Sequence, residues 1–131
     1  MHKTINNNFW KGKKVFVTGH TGFKGSWLCM MLKLLGANVT GYALKPHTRP
    51  NIFEQSNIKK LIDKSIIADV RNYQKLNNEI KKSKAEILFH LAAQPLVRYS
   101  YTFPKETYDT NFSGTLNLLT IMKRYQCRKS C

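Results

Sequence analysis

At 131 residues the chain has the length of one domain. Its 42% hydrophobic content is enough for a packed core and excludes a compositionally disordered protein. The net charge of +15 comes mostly from lysine, 17 of the 22 basic residues; these are scattered, with no helix-turn-helix or aromatic RNA-reading motif, so no specific nucleic-acid partner is expected.

The opening stretch MHKTINNNFWKGKK has no apolar run after its basic residues and does not read as a secretory leader. Residues 1–12 are expected to form an N-terminal extension and 13–131 a single domain. The longest apolar run, WLCMMLKLLGA at 27–37, contains Lys33 and falls short of the ~20 residues that span a bilayer. A cytoplasmic protein with no membrane partner follows. Cys29 sits in that run as a core residue. Cys127 and Cys131 have no Cys or His at ligand spacing, so neither a disulfide framework nor a metal site is read.

Four short apolar runs recur: KVFVT (14–18), NVTGYAL (38–44), SIIAD (65–69) and EILFHLAA (86–93). Their near-continuous apolar character predicts strands covered on both faces, as in a parallel sheet. Between them GSWLCMMLKLLG (25–36) predicts a helix stopped by Gly36, with Trp27, Leu28, Met31 and Leu35 as its core face. NYQKLNNEIKKS (72–83) predicts a second helix through Tyr73, Leu76 and Ile80. PKETYDTNFSGTLNLLTIMKRY (104–125) predicts a longer one starting near Thr107. KPHTRPNIFEQSN (45–57), with two prolines, is the one long irregular connection. Phe9 and Trp10 are expected to pack over the start of the first strand, and His90, in an apolar strand, to be a hydrogen-bonded core histidine. Strands alternating with helices imply right-handed βαβ units. The expected fold is α/β: a Rossmann-like doubly wound parallel sheet, truncated after the fourth strand and its following helix.

Between the first strand and first helix stands Thr18-Gly19-His20-Thr21-Gly22-Phe23-Lys24-Gly25. A βαβ unit presents free backbone N–H groups and the positive end of a helix dipole at this point. A diphosphate requires a sharp bend, backbone approach without a Cβ, and a helix packed close to the strand. Gly19, Gly22 and Gly25 can each supply one of these. The spacing is GxxGxxG rather than the commoner GxGxxG; its strand–turn–helix setting favours a nucleotide site over the alternative, a merely structural turn. Lys24, inside the turn, can neutralise phosphate charge or simply be solvated.

That TGxxGxxG spacing resembles the extended short-chain dehydrogenase/reductase family. Asp69-Val70 resembles the family's pair that holds the adenine. Leu91-Ala92-Ala93-Gln94 resembles the turn that backs the cofactor's ribose and nicotinamide, and TYDTNFSGTLNLL (107–119) makes Asn111 the counterpart of a structural asparagine. The resemblance thus implies a cofactor site of Gly19, Thr21, Gly22, Phe23, Lys24, Gly25, Asp69, Val70, Leu91, Ala92, Ala93, Gln94 and Asn111. More narrowly, FWKGKKVFVTGHTGFKGSWL and ILFHLAAQPLVRYSY are similar to the CDP-glucose 4,6-dehydratases of that family. This implies NAD as cofactor, a nucleotide-sugar substrate, and relatives that are homodimers. It also implies a reaction that oxidises C4 of the glucose, loses water across C5 and C6, and returns the hydride to C6, giving a 4-keto-6-deoxy sugar nucleotide for surface polysaccharide. Arg98 and Tyr101, after the fourth strand, fall on the substrate side, although the tyrosines there can equally be packing residues.

Two departures stand out. The family's catalytic Tyr-x-x-x-Lys pair, in which the lysine lowers the tyrosine's pKa, is expected beyond the end of this chain. Tyr101–Lys105 contains Pro104, which opposes a shared helix, and Tyr125–Lys129 is preceded by no fifth strand, so no catalytic residue is assigned. Second, NAD-selective sites carry a carboxylate at the end of the second strand. Here that place reads Tyr42-Ala43-Leu44-Lys45-Pro46, followed by His47 and Arg49, cations able to meet a 2′-phosphate or merely to be solvated. NADP therefore stays open beside NAD, as do an NADP-dependent epimerase or dehydratase of the same family and a non-catalytic nucleotide-binding module.

Overall fold

A computed structural model describes residues 8–129, the side chains of 127–129 excepted. Most of the expected N-terminal extension, Cys131, and the side chains of Cys127 and of the lysine in the Tyr125–Lys129 string therefore lie outside what is described. Four strands, β1 (Lys14–Thr18), β2 (Asn38–Ala43), β3 (Lys64–Ile67) and β4 (Ile87–His90), form one sheet in the order β3-β2-β1-β4. All pairings are parallel, with Thr18 opposite both Tyr42 and His90. The order reverses at β1, whose neighbours leave the sheet to opposite sides, and such a switch point opens a crevice beyond the strands' carboxyl ends.

Both faces of the sheet are covered, as the unbroken apolar runs require. Val15, Val17 and Val39 point to one side, onto Cys29 and Leu32 of α1 (Phe23–Leu34), Phe53 of α2 (Ile52–Gln55) and Ile58 of α3 (Ile58–Leu61). Phe16, Tyr42 and Ile66 point to the other, onto Leu76 and Ile80 of α4 (Tyr73–Ser83) and Leu118 and Ile121 of α7 (Gly114–Lys129). Asn72 caps α4 by accepting from the Lys75 N–H at 3.0 Å, and Lys81 and Lys82 complement the dipole in its last turn. Trp10 packs against the first cluster, as expected, whereas Phe9 is half exposed and stands edge-on to the Trp10 ring.

Several boundaries differ from the expectation. β3 ends at Ile67 and β4 at His90, so Asp69-Val70 and Leu91–Gln94 are coil just past the strands. The connection 45–57 is not wholly irregular: Asn51 accepts from the Glu54 N–H at 2.9 Å and starts the short α2. Residues 97–102 form α5 (Val97–Thr102), which the sequence reading missed. The long helix begins at Pro104, as α6 (Pro104–Tyr108), and passes through a π turn at Asp109–Ser113 before α7. Proline suits a first helical position, where an N–H would have no acceptor within the helix and its absence costs nothing.

The core face of α1 is corrected in part: Leu28 packs against the first cluster, as expected, and Leu35 is half-buried. The buried residues of the helix are Gly25, Ser26, Cys29 and Leu32, whereas Trp27 and Met31 are about half exposed, at 49% and 56%. Apolar spacing allowed either face. Close approach of the helix to β1 selects the face with the smaller side chains. No helix among the described residues is long and apolar enough to cross a membrane.

Candidate dinucleotide site

At the switch point the chain leaves β1 through Gly19, whose φ of +80° lies in the left-handed region that favours glycine. A Cβ at Gly19 would stand 2.7 Å from the Ala92 nitrogen and the Leu91 carbonyl carbon, so the turns after β1 and β4 meet backbone to backbone. A Cβ at Gly25 would be driven into the Gly19 carbonyl, and its absence lets α1 seat on the turn. At Gly22 a Cβ would be in ordinary contact at 3.4 Å. That residue serves instead as N-cap of α1, with no side chain to cap it. The first-turn N–H groups of Phe23, Lys24 and Gly25 have no acceptor within the helix and face outward with the positive end of the dipole.

The turn is fixed from below. The Gly19 N–H donates to the Tyr42 carbonyl at 2.9 Å, the Thr21 hydroxyl to the Leu44 carbonyl at 2.7 Å, and the Ser26 hydroxyl to the His20 carbonyl at 3.0 Å. His20 points inward and is fully buried, its Nε2 2.8 Å from the Ser65 hydroxyl and its ring edge-on to Phe53. It lies over bare Gly41 of β2, where any Cβ would strike the ring. Its Nδ1 is buried without a hydrogen-bond partner. Burial pushes the imidazole down to about 4, which the Tyr42 backbone offsets only in part.

On the other wall a continuous network holds residues 91–94. The Thr18 hydroxyl accepts from the Leu91 and Ala92 N–H groups at 3.1 and 3.2 Å and lies 2.7 Å from His90 Nδ1. Since Thr18 has one proton, it donates to Nδ1, and the His90 proton sits on Nε2, 3.0 Å from the Thr115 hydroxyl. Thr115 in turn donates to the Asn111 carbonyl at 2.7 Å. The Asn111 side chain closes the loop, accepting from the Gln94 N–H at 2.7 Å and donating to its carbonyl at 3.1 Å. His90 is therefore the satisfied histidine that the apolar strand implied, kept neutral by burial. Thr18 and Thr115 were not anticipated. Their signal, a threonine at the end of a strand or one turn along a helix, is too common to read.

The other expected residues divide. Val70 is buried, 4% exposed, against Gly114, and Tyr42 donates its hydroxyl proton to the Asp69 carbonyl at 2.9 Å. The Asp69 carboxylate is occupied by Arg71, through its backbone N–H at 2.8 Å and its guanidinium at 2.9 and 2.6 Å, which holds the carboxyl below its usual range. Lys24, Leu91 and Ala93 are exposed around the crevice. Arg98 and Tyr101 lie exposed on α5, on the wall beyond Gln94. Tyr101 and Lys105 belong to different helices, broken at Phe103, as Pro104 required.

Comparison with known proteins adds four findings. Residues 16–131 match the model of the family described as GDP-mannose 4,6 dehydratase. The chain is 55% identical over 120 residues to the CDP-glucose 4,6-dehydratase of Salmonella typhimurium, covering 92% of this chain and 33% of that protein. It is 31% identical over 113 residues to a UDP-glucose 4-epimerase of Klebsiella pneumoniae, covering 84% of this chain and 80% of that one. The solved structure of the Thermus thermophilus UDP-glucose 4-epimerase in complex with NAD superposes with a TM-score of 0.72 at 26% identity, over 86% of this chain and 34% of that one. The chain spans about a third of the length of the first curated relatives it matches.

Proposed function

The chain belongs to the GDP-mannose 4,6 dehydratase family, and from that premise we propose that it is the cofactor-holding part of a cytoplasmic sugar-nucleotide 4,6-dehydratase, a lyase converting CDP-glucose to its 4-keto-6-deoxy product. The 55% identity to the Salmonella typhimurium enzyme supports that substrate. The observation that carries the cofactor reading is the bare backbone contact of Gly19 with Leu91 and Ala92, roofed by the open N-terminus of α1.

Bound there, a nicotinamide dinucleotide would supply the acceptor and donor of the hydride that the sugar gives up and regains. The N–H groups of Phe23, Lys24 and Gly25 would hold its diphosphate, each charge-assisted bond contributing about 1.5–3 kcal/mol. Thr21 ties this cradle to the exit of β2, and Lys24 lends it positive charge. Asp69, held by Arg71, and Val70 would frame the adenine. Leu91, Ala92, Ala93 and Gln94 would back the ribose and nicotinamide, and Asn111 keeps Gln94 in place. Arg98 and Tyr101 would meet the sugar nucleotide. Exposed Tyr108, Phe112, Leu116 and Leu119 recur along one side of the 104–129 helical segment and support pairing into a homodimer.

The test replaces the matching N-terminal segment of the Salmonella typhimurium enzyme with this chain and follows formation of the 4-keto sugar from CDP-glucose. Turnover supports the reading. A folded, cofactor-loaded chimaera that leaves CDP-glucose unchanged refutes it.

A further inference from the structure

We propose that the end of the sheet opposite the crevice is a docking face for a lipid surface with acidic headgroups, on which the chain lies without crossing. Lysines scattered along the sequence are gathered there by the topology. The strands are parallel and so begin at one end, where the Asn38 N–H donates to the Lys13 carbonyl and the Glu86 N–H to the Lys14 carbonyl, both at 2.8 Å. Lys11, Lys13 and Lys14 lead into β1. The helices returning to that end bring their last turns to it: Lys33 closes α1, Lys60 closes α3, and Lys81, Lys82 and Lys84 close α4.

The charge there is one-sided. Each acid at this end is taken up by lysine: Asp63 by Lys33 at 2.9 Å, Glu86 by Lys13 at 3.2 Å, and Glu79 by Lys64 and Lys82. Lys11, Lys14, Lys60, Lys81 and Lys84 are exposed, and among the described residues none of them has a carboxylate partner. Helix dipoles account for the lysines in last turns. They do not account for Lys11 and Lys14, which precede and open a strand, or for Lys84, which stands past the end of α4 at a φ of +50°.

Apolar side chains stand out among these cations. Leu34, at the end of α1, is 88% exposed, Phe9 52% and Leu61 41%. The Gly12 N–H donates to the Gly36 carbonyl at 2.9 Å, which sets the turn of residues 9–13 beside the end of α1. The Lys13 ammonium lies 5.4 Å from the centre of the Phe9 ring. Leucine and an aromatic ring among lysines match the boundary of a bilayer, where apolar groups sink below the headgroups and ammonium groups stay level with them. A nucleic-acid backbone would leave those apolar groups unused, and hydrated point charges suit a diffuse negative surface better than the fixed reading of phosphates that arginine performs. A second copy would bring the same positive charge and be repelled. The crevice, at the other end of the strands, stays open to its ligands.

The experiment sediments the purified chain with phosphatidylcholine vesicles, with and without an equal part of phosphatidylglycerol. Binding should require the acidic lipid and weaken with salt, which screens charge over about 8 Å at physiological ionic strength. Lys81→Gln/Lys84→Gln should lower the partition about 25-fold, roughly fivefold per lysine. Lys45→Gln/Lys105→Gln, exposed at the crevice end, should leave it within about twofold. Leu34→Ser should weaken it about tenfold at low and high salt alike. Equal losses in the two double variants would mean that net charge alone attracts the chain, and would overturn the inference. So would absence of binding to the acidic vesicles at low salt, or an undiminished partition in Leu34→Ser. Tighter capture of an RNA homopolymer than of the vesicles, or self-association in sedimentation velocity that Leu34→Ser abolishes, would give the face another occupant and overturn it as well.

Discussion

Lowering the pH should unfasten the glycine turn through His20. The imidazole is fully buried, with Nε2 on Ser65 and Nδ1 unpartnered, so a charged ring would lose its hydration and gain only partial support from the Tyr42 backbone. Its pKa in the folded chain is about 4, against 6.5 for an ordinary histidine. The unfolded chain therefore binds the proton first. The stabilisation is complete above about pH 6.5 and is lost as the pH falls toward 4. A gap of about 2.5 units at 1.36 kcal/mol each amounts to about 3 kcal/mol, most of it already lost by pH 4.5. That is a large share of the ~5–15 kcal/mol that holds a domain together. His90, also lowered by burial, acts in the same direction. Asp63, Asp69 and Glu79, all held low by partners, begin to lose their contribution at about pH 5 and lose most of it below the window, so they add only a little to the change above pH 4.5. Urea unfolding followed by tryptophan fluorescence from pH 7 to 4.5 should show the loss, and His20→Gln, which preserves a donor toward Ser65, should flatten most of it. A wild-type stability that does not change over that range, or an undiminished slope in the variant, would refute the argument.

Gly25→Ala should abolish cofactor uptake in calorimetry, because its methyl cannot share space with the Gly19 carbonyl; retained affinity would contradict the cradle. Asn111→Ala removes the side chain bonded to the Gln94 N–H and carbonyl and should cost about 0.5–1.5 kcal/mol in denaturant unfolding. On α1, Leu32→Ala should cost about 2–5 kcal/mol, whereas Met31→Ala, on the exposed side, should cost far less. Equal costs would mean that the helix is phased as its apolar spacing first implied.

The sheet was legible because each strand is a short apolar run bounded by turn residues, and a parallel sheet with two covered faces leaves that mark on sequence. The glycine turn was legible for a related reason: its steric demands exclude other side chains, so they are written as residue identity. What escaped was set by contacts distant in sequence. Thr18 matters through Leu91 and Ala92, more than 70 residues away, and nothing near position 18 announces it. The phase of α1 was misread at Trp27 and Met31, though not at Leu28, because both of its sides carry apolar residues, and only the closeness of the turn decides between Leu32 and Met31. The π turn at Asp109–Ser113, which lies where Asn111 reaches Gln94, has no local signature in its residues.

The central claim, that the open amides after β1 hold a dinucleotide's diphosphate, is tested most directly by titrating the isotope-labelled chain with NAD or NADP and following its amide resonances. The amides of Thr21, Phe23, Lys24 and Gly25 should shift together and saturate, while those at the far end of the strands, around Lys64 and Ile87, stay still. Shifts gathered at that far end, or none at millimolar nucleotide, would contradict it.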